Sequence, residues 1–219
     1  MQKKNVLTMA LSVSLVGVIA VGGTLAFLTS TTEKVTNTFT GSAGITMTLD
    51  EAPVDEDGHA TSGNRVTSNE YENILPGVKY DKDPTVTLTS IPTGGVYVFA
   101  RIDGLDATKE ANGYTVSADL SNQWKKVSTD DEGVDGIYVY IGNTATAAVV
   151  IDEMALDDIF EHVTFTYDQA NGAAAPTIEK INVVAYAIQA SGIEYDSEDP
   201  DEDTALSLAT AALNGVVFE

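Results

Sequence analysis

Two histidines, His59 and His162, stand among 33 Asp and Glu residues and 11 Lys and Arg. A zinc peptidase of the H-E-x-x-H type needs two histidines on one helical face with a glutamate base between them. Glu161-His162 has no second histidine four residues on, so that motif is absent. The direct reading is a solvated His59 in an acidic stretch and a half-buried His162 at the start of a strand. A metal site assembled from these two distant positions is the rival. No G-x-S-x-G elbow and no glycine-rich phosphate loop occurs. The absence of cysteine excludes thiol catalysis, thiolate zinc sites and disulfides. Carboxylate pairs suited to glycoside hydrolysis are too numerous to single one out. No catalytic or cofactor-binding residue is assigned, and a non-enzyme is expected.

Clustered carboxylates suit calcium, a hard cation that prefers oxygen ligands. Asp199, Asp201 and Asp203 alternate, with Glu198 and Glu202 between them. A second acidic run, Asp55-Glu56-Asp57, precedes Gly58. Neither run matches an EF-hand loop, and the plain reading of both is a solvated loop that keeps the chain soluble. Calcium at Asp199, Asp201 and Asp203 is the one ligand expectation, and no other cofactor is expected.

A net charge of -22 limits the partners. Phosphate contacts require Lys and Arg, so nucleic acid is not an expected partner. Docking on anionic lipid through a basic patch is equally disfavoured.

The elements that would position these residues begin after an export signal. Lys3 and Lys4 precede an uncharged run from Val6 to Leu28, broken by Gly22-Gly23. Thr24 and Ala26 then fit the small-residue positions that a signal peptidase reads, so cleavage is expected between Ala26 and Phe27. An uncleaved membrane anchor is the alternative, since the run is long enough to span a bilayer. With cleavage, membrane association ends, and the mature chain from Phe27 carries a net charge of -24 once Lys3 and Lys4 are gone. An exported chain without cysteine points to a Gram-positive cell.

Residues 35–49 alternate apolar and threonine positions, the pattern of a half-buried strand. Residues 50–73 are polar and read as a long acidic surface loop. Strands are expected at 85–88, 95–102, 123–127, 137–141, 147–151, 162–167 and 178–189, with turns at Ile74-Leu75-Pro76-Gly77 and Pro92-Thr93-Gly94-Gly95. Helical spacing occurs at 152–160, through Leu156, Ile159 and Phe160, and at 204–213, through Leu206, Ala209 and Leu213. Many short strands with one or two short helices imply an all-β antiparallel sandwich.

Several segments carry a family resemblance. Residues 22–29 (GGTLAFLT), 37–40 (NTFT) and 45–49 (ITMTL) resemble the signal and first strand of the TasA/camelysin group. So do 74–77 (ILPG), 82–86 (KDPTV), 97–101 (YVFAR) and 184–190 (VAYAIQA). The resemblance spans most of the chain to about residue 190. It implies a jelly-roll-like sandwich over 27–219 and cutting by a signal peptidase of the SipW type. It also implies a place outside the cell, at the surface or in the biofilm matrix. In that group the freed N-terminal segment adds as a strand to the next subunit. Phe27, Val35 and Phe39, which share one parity, would form its apolar side, and self-association into fibres is the expected partnership. Camelysin members are described as surface metallo-endopeptidases, an activity for which this sequence supplies no zinc motif. A monomeric surface adhesin or binding module is the further alternative. The chain departs from the group in its long acidic loop and in Leu28-Thr29, where an aromatic-Thr pair is common.

Overall fold

The computed structural model describes residues 44–105, 114–127, 133–167, 178, 180–196 and 204–217. Ser42–Glu219 form one compact unit. Among the described residues the strands are β1 (Thr46–Asp50), β2 (Lys79–Asp81), β3 (Thr85–Ser90), β4 (Val96–Asp103) and β5 (Tyr114–Leu120), followed by β6 (Trp124–Lys126), β7 (Gly136–Tyr140), β8 (Phe160–Tyr167) and β9 (Asn182–Gln189). One helix, α1 (Ala205–Asn214), follows among the described residues. The strands pair antiparallel in three sheets, ordered β1-β3, β2-β8-β5 and β6-β7-β4-β9. The all-β sandwich expected from the strand pattern is the observed fold class.

β4 is the central strand. Its sequence, VYVFARID, is apolar at both parities, as a strand covered on both faces must be. Val96, Val98, Ala100 and Ile102 share one core with Val86, Leu88, Val163 and Phe165 from the smaller sheets. Phe99, fully buried, belongs to a second core with Val139, Leu206, Ala209 and Leu213, so α1 covers the other face. Each large apolar side chain removed from water in this way contributes about 1.5–3 kcal/mol.

Thr204 caps α1, its hydroxyl accepting from the Ser207 N–H at 3.3 Å. The buried stripe is Ala205, Leu206, Ala209 and Leu213, matching the spacing read in sequence. At the other end, Arg101 on β4 donates to the carbonyls of Leu213 and Val216.

The helix expected at 152–160 is not formed. Its apolar residues are buried instead by an extended segment. Leu88 N–H donates to Met154 O, Leu156 N–H to Val86 O and Ile159 N–H to Pro84 O. Residues 154–159 thus run along β3 and lead directly into β8, joining the two smaller sheets. A nine-residue helix has little stability of its own, and pairing with β3 outweighs it.

Other expectations shift in detail. Residues 147–151 form no strand, only the bridge of Val150 to Val96. β9 begins at Asn182, later than residue 178. β2 and β5 were not expected. The stretch 50–73 is less free than a solvated loop, since Glu51 bridges Val66, Val54 bridges Ala60, and Glu51 itself is buried. Gly58 has φ +78°, and a Cβ there would collide with the Tyr80 ring. The turn at 74–77 is present, with Val78 N–H donating to Leu75 O and Gly77 at φ +79°.

Candidate functional site

Ala26 and Phe27, the expected cleavage pair, and Val35 and Phe39 of the expected assembly strand lie outside the described residues. Asp199, Asp201 and Asp203, the calcium expectation, also lie outside them. In the other acidic run, Asp55 Oδ1 accepts from the N–H groups of Asp57 and His59, so this carboxylate builds a turn.

The fold brings the two histidines to one carboxylate. His162 Nε2 lies 3.3 Å from Asp81 Oδ1, and His59 Nδ1 lies 3.9 Å from Asp81 Oδ2. On its other side His162 Nδ1 lies 3.4 Å from Asp119 Oδ2. The register explains this row: Asp81 on β2 stands opposite His162 on β8, and β5 flanks β8 on the far side. Lys79 donates to Asp119 at 2.6 Å. That bond, chiefly, holds the Asp119 carboxyl below its usual range, with His162 adding to it. Both nitrogens of His162 face carboxylates. Its Nδ1 is buried and makes no hydrogen bond. Among the described residues no group of three His, Asp or Glu side chains is placed to hold a metal ion.

A cavity of about 690 Å³ opens near the start of β9. Leu49, Tyr71, Ile74, Phe165 and Val183 supply apolar wall, and Glu51, Asn69 and Lys82 supply a polar part. Lys82 Nζ donates to Glu51 Oε1 at 2.7 Å, and both side chains are about nine-tenths buried. Asn69 Nδ2 donates to Glu51 Oε2 at 3.3 Å and to Ala52 O at 2.8 Å. Asn69 Oδ1 accepts from the Val54 N–H at 3.2 Å. The Tyr71 hydroxyl donates to Asp81 O at 2.7 Å. Burial first, then the Glu51 charge, pushes the Tyr71 phenol well above its ordinary value.

Arg65 ties this region together. It donates to the carboxylates of Asp50 and Asp83, to both their carbonyls and to the Thr85 hydroxyl. Burial opposes its charge, but the hydrogen bonds to Asp83 and Asp50 prevail and raise its pKa. Sequence reasoning left Arg65, Glu51, Asn69 and Lys82 without a role. They come from separate loops and strand ends, and no local spacing links them.

β9 borders the same cavity through Asn182 and Val183. It pairs with β4 over its whole length and, among the described residues, forms an edge of its sheet. No family model, curated protein or solved structure matches this chain.

Proposed function

We propose that the protein is a non-catalytic structural component of a cell surface or extracellular matrix, assembling by strand addition at the edge of β9. The carrying observation is the state of that edge. Among the described residues β9 has a strand neighbour on one side only. Its residues from Asn182 to Ala187 are half-buried, five of them apolar or aromatic. A long apolar edge that presents free N–H and C=O groups is a template for another strand. The adjoining cavity supplies apolar wall for alternate side chains of an added strand. The occupant in this reading is residues 27–39 of a second copy, with Phe27, Val35 and Phe39 turned inward. The resemblance to the TasA/camelysin group supports the same reading, as does the signal-like N-terminus. Head-to-tail addition does not close on itself, so it yields filaments.

Electron microscopy of the chain from Phe27, beside the same chain lacking residues 27–33, tests this. Filaments from the first and none from a folded second are expected. If both remain monomeric at high concentration and mildly acid pH, the proposal fails. A monomeric binding module is the second reading. The cavity favours it, and a persistent monomer would leave it standing.

A further inference from the structure

We propose that Lys82 and Asn69 join through an amide bond between their side chains, with Glu51 carrying the protons. Three observations converge. Lys82 Nζ and Asn69 Nδ2 are both held on the one carboxylate of Glu51, at 2.7 and 3.3 Å on its two oxygens. The Lys82 and Glu51 side chains are only 10% and 11% exposed, at the polar part of a cavity with apolar walls. The Asn69 carbonyl oxygen already accepts a backbone N–H, from Val54, which polarises its carbon towards attack.

The chemistry follows from these positions. An amine attacks a carbonyl only with its lone pair free, and an adjacent base supplies that state. Glu51 takes a proton from Lys82 Nζ. A local side-chain rotation then brings the amine to Asn69 Cγ, since both groups hang on the same carboxylate. As the Nζ–Cγ bond forms, negative charge gathers on Asn69 Oδ1, where the Val54 N–H stabilises it. The Cγ–Nδ2 bond breaks as Glu51 returns a proton to Nδ2, which leaves as ammonia. Lys82 Nζ starts with three protons and ends with one. Of the two released, one departs on the ammonia and the other remains on Glu51. Nothing is oxidised or reduced, and no further reactant enters.

The driving force is electrostatic. A buried ion pair is held at a large desolvation cost. The reaction replaces it with a neutral acid and a neutral amide. The product fastens the end of β2 to the loop before Ile74, in a chain that has no cysteine for a disulfide.

Tryptic digestion of the folded protein with tandem mass spectrometry tests the proposal. Residues 66–79 and 80–101 should emerge joined through Asn69 and Lys82, lighter than their summed mass by one ammonia and uncut after Lys82. The variants Lys82→Arg, Asn69→Ala and Glu51→Gln should each release residues 66–79, 80–82 and 83–101 as separate peptides. Separate 66–79, 80–82 and 83–101 peptides from folded wild-type protein held for days at neutral pH would overturn the proposal, whatever the variants do. A link that persists in Glu51→Gln would overturn the role of Glu51.

Discussion

The Tyr140 hydroxyl donates to Asp157 Oδ2 at 2.9 Å, and its ring packs edge-on against Trp124. Burial first, then the Asp157 carboxylate, pushes its pKa up to about 12. The folded state thus favours the neutral phenol more than the unfolded chain does. A group with a raised folded pKa stabilises below its unfolded value, near 10, and loses that contribution as pH rises through the folded value. Stability is therefore expected to fall between about pH 10 and 12. Urea midpoints measured across this range check it, with Tyr140→Phe as the comparison. The variant should lose part of the slope, and Tyr71 and Tyr195, also raised, should account for part of the remainder.

Among the elements, α1 was the most legible in sequence. Leu206, Ala209 and Leu213 recur at helical spacing, Thr204 precedes them, and the structure buries that stripe. β4, β7 and β8 were legible for the complementary reason, since dense β-branched and aromatic runs leave little else for the chain to do. The segment 152–160 misled because helical spacing over nine residues cannot be told from an extended stretch whose apolar residues meet β3. β5 carried an alternating signal in Tyr114, Val116 and Ala118, but polar residues between them masked it. The polar cluster was illegible because Glu51, Asn69 and Lys82 meet only after β1, β2 and the 66–74 loop have been arranged. Ending the chain before Thr204 uncovers Phe99, Ile137 and Val139, which share a core with the helix. The truncated protein should aggregate or bind a hydrophobic dye strongly, where the intact chain does not, as expected of a large exposed apolar patch.

For the molecule as a whole, the charge of -22 dominates. Such an excess repels itself in the compact state, and the repulsion is screened beyond about 10 Å at 0.1 M salt. The midpoint of urea unfolding should rise as sodium chloride is raised from about 0.01 M to 0.5 M, across which the screening length shortens several-fold. A flat response would mean that the acids are spaced widely enough to ignore one another. A further rise when calcium replaces sodium at equal ionic strength would favour a bound cation, and loss of that rise on replacing Asp199, Asp201 and Asp203 would assign it to them.

The place of β4 has a consequence for the order in which the protein can be completed. β4 is whole once residue 103 has been made, yet its partner β9 ends at residue 189 and the helix covering Phe99 starts at 205. Translation adds about 5–20 residues each second, so β4 waits on the order of ten seconds for its lid. During that interval the sheet around β4 cannot be completed. β4 therefore stays without β9 and without its helical cover until nearly the whole chain has been made.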